Sequence, residues 1–171
     1  MDPRMPKLGL NRWEEIGEAF YSKYSGLQKW QKTNYQFVCK HGFYKTFTGR
    51  HYKFSPKRKN DGTLEYPWPS VCNFAVQGTA TGDVVPLVLV KLFPVLNKIS
   101  KDIKLINQVH DSIVLDCPSK YLTDVCTEAL TMFRAIPKLI KQQYDYDWVV
   151  PMDGECKYGE DWSDMKTFKG E

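Results

Sequence analysis

The chain has 171 residues, a net charge of +4, and 42% hydrophobic and 14% aromatic content. Such a composition excludes a chain that stays disordered, and the length fits one domain or one piece of a larger one. The longest apolar run, Val84–Phe93 interrupted by Lys91, falls short of the ~20 residues of a bilayer span, and MDPRMPKLGL has no apolar core like a signal peptide's, so the expectation is a cytoplasmic protein with no membrane partner.

The five cysteines, Cys39, Cys72, Cys117, Cys126 and Cys156, are odd in number and widely spaced, with no C-x-x-C pair. This spacing indicates neither a zinc knuckle nor a disulfide framework, and predicts that most of the five are small buried thiols in a reducing compartment. Charge is distributed unevenly. From Ala19 to Asn60 there is no acid, and ten basic residues: Lys23, Lys29, Lys32, Lys40, Lys45, Arg50, Lys53, Lys57, Arg58 and Lys59. From Gln142 to Glu171 there are eight acids and three bases. A polyanion contact in the first half and a merely solvated basic surface both fit that asymmetry.

In chain order, Trp13, Ile16, Phe20 and Tyr24 recur at helical spacing, with Asn11 as the expected N-cap and Ser25-Gly26 as the break. A second helix is expected from about Leu27 to Cys39, ending near His41-Gly42. FYKTFTGRHYKF alternates aromatic and basic residues around Thr48-Gly49 and reads as a hairpin whose exposed face carries Lys45, Arg50 and Lys53. Ser55–Pro69, with Pro56, Asn60, Asp61, Gly62, Pro67 and Pro69, reads as a loop holding Lys57-Arg58-Lys59. A helix is expected from Ser70, bent or split by Gly82 and Pro86, and the apolar VVPLVLVKLFPVL that follows belongs in the core. Ile103–Val109 and Ser112–Cys117 read as two strands with His110-Asp111 at the tip between them. A helix from Pro118 or Ser119 to about Ile136, stopped before Pro137, would bury Leu122, Val125, Cys126, Ala129, Leu130 and Phe133. A last strand is expected around Val149–Lys157. The order predicts an α+β fold: a small antiparallel sheet, one hairpin tip carrying His-Asp, packed on helices.

Two constellations could carry chemistry. A hairpin tip holds side chains beyond the sheet on two rigid strands, and the carboxylate of Asp111 is a hard oxygen ligand suited to Mg²⁺. Asp is equally at home in a tight turn for local hydrogen bonding. A phosphohydrolase of the His-Asp type would need further ligands on helices, and only His41 and His51 remain, both in the basic segment. The second constellation is Asn73-x-x-x-Gln77-Gly78-Thr79-Ala80. Its two amides, four residues apart, share a helix face and suit the acceptors of minor-groove base edges, while Gly78 allows another backbone close. An ordinary polar helix surface explains the pair as simply.

Together, in order, these segments resemble the family A (polymerase I-like) DNA polymerases. VQGTATGD matches the helix that precedes the last polymerase motif, and QVHDSIVLD matches that motif, usually written V-H-D-E. EEIGEAFYSKYSGLQKW, GFYKTFTGR and GECKYGEDW match further family segments, so the resemblance runs from about Leu8 to Trp162. It implies one partial polymerase domain, with fingers and palm helices and the basic hairpin-loop over about 8–69 and palm over about 70–162. It implies that Asp111 is a catalytic, metal-binding aspartate and that His110 touches the primer terminus. Asn73 and Gln77 would track the minor groove, and Arg50, Lys53, Lys57, Arg58 and Lys59 would bind backbone phosphates of primer–template DNA.

Ser112 stands where the family's motif has a second acid, and Pro69 where the family often has an arginine one turn before the Asn. The family's first catalytic aspartate, in a D-Y-S-x-I-E-like motif, has no counterpart here. Nor does the R-x-x-x-K-x-x-x-F/Y helix that grips the dNTP, nor any exonuclease domain. Two-metal phosphoryl transfer sets two Mg²⁺ ions about 3.5–4 Å apart, and one carboxylate cannot orient both. The expectation is the C-terminal subunit of a split, phage-type polymerase, working in the host cytoplasm with an N-terminal polymerase chain that carries the other aspartate and the fingers helix. A non-catalytic DNA-binding remnant, or a piece cut from a longer enzyme, is the alternative.

Overall fold

The computed structural model describes residues 9–170. Residues 1–8, which hold most of the stretch read for a signal and Leu8 at the start of the family resemblance, lie outside the described residues. Helix α1 (Leu10–Lys23) follows the predicted stripe, but Gly9, not Asn11, is its N-cap, and no side chain caps it. The chain breaks at Tyr24 (φ −114°, ψ 52°) and resumes at once in α2 (Ser25–His41). Gly42, at φ 78°, closes α2 in the left-handed conformation, with its N–H donating to Val38 O at 2.7 Å. This is the usual use of glycine after a helix, where a Cβ would be strained.

By contacts, the chain divides into two compact units: residues up to Lys45 with His51–Ala75, and Thr46–Arg50 with Val76 onward. In the first, β1 (Phe43–Lys45) pairs antiparallel with β2 (His51–Lys53). Val38, Phe54, Tyr66 and Val71 form the core, with Tyr35, Tyr44 and Phe74 packed on it. The Tyr35 hydroxyl donates to Tyr66 O at 3.0 Å. The expected loop Ser55–Pro69 contains a second hairpin, β3 (Lys57–Arg58) with β4 (Leu64–Glu65). Its turn is Asp61-Gly62-Thr63: the Thr63 amide and hydroxyl both donate to Asp61 Oδ1, and Gly62 has φ 83°.

A continuous helical run of 32 residues, Trp68–Ile99, is long and apolar enough by length and composition to cross a bilayer. The apolar stretch counted in the sequence was shorter because it left out α3 (Trp68–Thr79). The run passes through a π-helical turn, Ala80–Val84, before α4 (Val85–Ile99). Gly82, expected to bend or split the helix, lies in that turn, and Pro86, expected to do the same, stands in the first turn of α4. The second unit's core is built on α4. Val84, Leu87 and Val88 meet Ile136 and Ile140, and further along Leu92 and Leu96 meet Ile103 and Val125. Val90 and Phe93, also on α4, remain exposed.

After the hairpin β5 (Lys104–Val109) and β6 (Ser112–Asp116), α5 (Leu122–Arg134) stops before Ile136, and Pro137 stands in the first turn of a further helix, α6 (Ile136–Tyr144). The sequence predicts a stop at Pro137, but at a first turn the missing N–H of proline costs nothing. The strand expected at Val149–Lys157 reduces to β7 (Lys157–Tyr158), paired with β8 (Lys166–Thr167). Instead of one small sheet, the described residues hold four separate two-stranded ribbons. The fold class is α+β.

Candidate active site and nucleic-acid interface

Val109 pairs with Ser112 across β5 and β6, so His110 and Asp111 alone link the two strands. Two-residue hairpins favour turns whose first linking residue has positive φ, a place for glycine or asparagine. His110 takes it at φ 53°. Holding a non-glycine residue there costs on the order of 1 kcal/mol, and such strain collects at sites where a side chain is needed. Beneath the tip, Gln108 Nε2 donates to the carbonyls of Thr81 and His110, each at 3.3 Å. The Ser112 hydroxyl donates to Val109 O at 2.8 Å. The turn's backbone is thereby tied to the π-helical turn that carries Thr81.

Both tip side chains are exposed. Among the described residues no hydrogen bond or ion pair engages the Asp111 carboxylate, which leaves a hard oxygen donor free for a divalent cation. Among the described residues no group of three or more His, Cys, Asp or Glu could enclose an ion. Asp111 thus fits Mg²⁺ as a single anchor and not as a closed cage.

Asn73 and Gln77 are both exposed on α3, one turn apart, while Gly78 is buried. Gly78 has a specific neighbour: its carbonyl accepts from Arg50 Nη2 at 2.8 Å. Arg50 Nε lies 3.1 Å from Asp83 Oδ1, and the Thr48 hydroxyl donates to the same oxygen at 3.0 Å. The buried Thr46 hydroxyl lies 2.8 Å from that of Thr48. A Cβ on Gly82 would run into the Arg50 guanidinium. The T-x-T-G-R and Q-G-T-A-T-G-D segments therefore interlock through one buried carboxylate.

This places Arg50 apart from the other predicted phosphate contacts, since its guanidinium is already holding Asp83. Lys53, Lys57 and Arg58 are exposed, with no ion pair among the described residues. Lys59 pairs with Glu65 at 3.1 Å, both partners about half-exposed, a contact worth little in water. Thr48, Thr81, Asp83 and Gln108 escaped the sequence reading. One signal existed: Asp83 opens an apolar helix, and a carboxylate that must enter a core needs a partner elsewhere.

A family model described as DNA polymerase family A matches residues 7–164. The chain is 27% identical over 151 residues to the thermostable DNA polymerase I of Thermus aquaticus, covering 87% of this chain and 17% of that enzyme. It is 24% identical over 164 residues to DNA polymerase I of Lactococcus lactis, covering 93% of this chain and 17% of that enzyme, and 23% over 163 residues to DNA polymerase I of Bacillus caldotenax, in the same proportions. The chain thus spans about a sixth of the length of the curated relatives it matches. With that match over nearly its whole length, the chain belongs to DNA polymerase family A.

Proposed function

We propose that this chain is the C-terminal part of a template-directed DNA polymerase, active in the host cytoplasm, and that it works with a separate N-terminal polymerase chain. The observation that carries the reading is Asp111: an unpaired carboxylate at a two-residue hairpin tip, on a backbone braced by Gln108 and Ser112. Bound Mg²⁺, held by Asp111 together with the partner chain's carboxylate, would supply charge neutralisation at the transferring phosphoryl group. His110 meets the primer terminus. Asn73 and Gln77 offer amides to minor-groove acceptors, whose near-independence of sequence suits an enzyme that must copy any template. Lys53, Lys57, Arg58 and Lys59 meet backbone phosphates, and Arg50 adds positive charge while it holds Asp83.

The need for a partner is supported by charge arithmetic and by surface. Two divalent ions bring four positive charges into a small volume, and nucleotide positioning requires groups beyond those named. In α1 no side chain is buried, and Leu10, Trp13, Ile16, Phe20 and Tyr24 form an exposed apolar stripe. A contiguous stripe of this kind supports the reading, since such surfaces are commonly covered by further polypeptide.

The test is purification of the native protein with whatever polypeptide accompanies it, followed by primer extension with Mg²⁺ and dNTPs. The complex is expected to extend the primer. The Asp111→Asn complex should assemble equally well and fail to extend. Extension by this chain alone, or full activity of the Asp111→Asn complex, would overturn the reading.

A further inference from the structure

The β1–β2 hairpin sets Phe43 opposite Lys53 and Lys45 opposite His51. Side chains alternate along a strand, so these four share one face and Tyr44 and Tyr52 share the other. The tyrosine face meets the core, with Tyr44 packed on the Val38–Phe54 cluster and the Tyr52 ring stacked 3.8 Å from that of Phe74. The opposite face keeps a checkerboard of two rings and two ammonium groups. The last turn of α2 adds two more rings. Phe37 and His41 stack at 4.2 Å, Phe43 and His51 at 4.3 Å, and Phe37 meets Phe43 edge-on at 5.7 Å. His41 is held in place by its Nδ1–H, which donates to Phe37 O at 3.0 Å. Phe37 is 39% exposed, and His41 and His51 are exposed.

A single exposed ring needs no explanation, but four in continuous contact do. Lys40, Lys45 and Lys53 flank them, in a stretch with no acid from Ala19 to Asn60. A ligand matching this surface carries flat π faces and regularly spaced negative charge together. In a duplex the base faces are hidden against one another, while in a single strand they are free.

We propose that this ring ladder binds single-stranded nucleic acid, with unpaired bases stacking on the Phe43–His51 and Phe37–His41 pairs and phosphates meeting Lys45 and Lys53. The proposal rests on the nucleic-acid reading of the basic segment and not on assembly of an active centre, so the two fail separately.

The experiment uses the full chain in metal-free buffer, without partner or nucleotide, and reads fluorescence anisotropy. The probes are labelled oligo(dT) of about 12 nucleotides, a duplex of equal length and an abasic strand of equal charge. Oligo(dT) is expected to bind about tenfold or more tightly than the abasic strand, and more tightly than the duplex. The Phe43→Ala/His51→Ala double variant should lose that advantage. Lys45→Gln/Lys53→Gln should keep the preference for bases while lowering the slope of log K against log salt by about 1.4, two phosphate contacts' worth. If the double variant does not fold, as judged by circular dichroism, His51→Ala on the exposed strand carries the test, with a smaller loss expected. Equal binding of abasic strand and oligo(dT), tighter binding of duplex, or unchanged binding in a folded ring variant each overturns the proposal.

Discussion

The Arg50 guanidinium lies 3.1 Å from the Asp83 carboxylate, and the two partners are unequally buried: 44% of the Arg50 side chain is exposed against 4% of Asp83. Asp83 Oδ1 also accepts from Thr48, while Oδ2 is buried with no hydrogen-bond partner among the described residues. The pair therefore depends on Arg50 far more than Arg50 depends on the pair.

That inequality sets the order of two variants. Arg50→Ala strands a buried carboxylate, whereas Asp83→Asn leaves an arginine that water can reach and an amide oxygen for Thr48. A full buried pair broken from one side costs about 3–5 kcal/mol, and half-exposure of Arg50 discounts this to about 2–3 kcal/mol. Asp83→Asn should cost about 1 kcal/mol. Urea unfolding of both variants measures the difference. A larger loss in Asp83→Asn would mean that burial of the carboxylate is not what the arginine offsets.

Gly82→Ala tests the same junction with a change of sign. In an ordinary helix interior, alanine for glycine stabilises by about 1 kcal/mol. Here the new Cβ would collide with the Arg50 guanidinium, which Asp83 and Gly78 O hold in place. The expected outcome is a loss of about 1 kcal/mol, because the guanidinium must leave its partners. In an Arg50→Ala background the obstacle is gone, and the same substitution should become stabilising. Additive effects in that double-mutant cycle would show that the two residues do not compete for space.

What the sequence disclosed follows from the range of the interaction. The stripe of α1, the end of α2 at Gly42 and the strands flanking His110-Asp111 come from periodicity and turn chemistry within a few residues, and all were legible. The hold of Arg50 on Asp83 was not legible, because a guanidinium in a basic segment gives no sign that a distant aspartate will pair with it. Pro137 read as a terminator because the residue alone does not tell a helix's end from its first turn. The ribbons β3–β4 and β7–β8 are only two residues per strand, too short for alternation to register. In the candidate site, the residue types of the tip were legible, but the brace from Gln108 to Thr81 was not, since it joins a strand to a π-helical turn that only the folded chain brings near. The ring ladder lay between these cases: Phe43, Lys45, His51 and Lys53 alternate visibly, while the stacking of Phe37 and His41 needs the helix end folded back.

His110→Gly separates stability from function at the hairpin tip. Glycine adopts positive φ at no steric cost, so the variant should be more stable by up to about 1 kcal/mol, read as a shift of the urea midpoint. Primer extension by the complex with the partner chain should fall at the same time. A variant that gains stability and keeps full extension would leave the strained histidine without a role at the primer terminus.

Cys126 is buried against Cys156, with 2.7 Å between the sulfurs. Burial first, and then the neighbouring Cys156 thiol, pushes the Cys126 thiol up to about 12. An unfolded cysteine loses its proton near about 8.5. Between these values the unfolded chain releases a proton that the folded chain keeps, so the contribution is intact below about pH 8.5 and is lost as pH rises toward 12. Stability should therefore fall over that window, and Cys126→Ala should flatten the fall even though it lowers stability at neutral pH by emptying core volume. The same burial should shield the thiol from iodoacetamide at pH 8, while the exposed Cys39 is alkylated first. Urea titrations across the window and mass mapping of the alkylated sites measure both effects. Parallel pH slopes for wild type and Cys126→Ala, or early alkylation of Cys126, would show that this thiol is not protected by the fold.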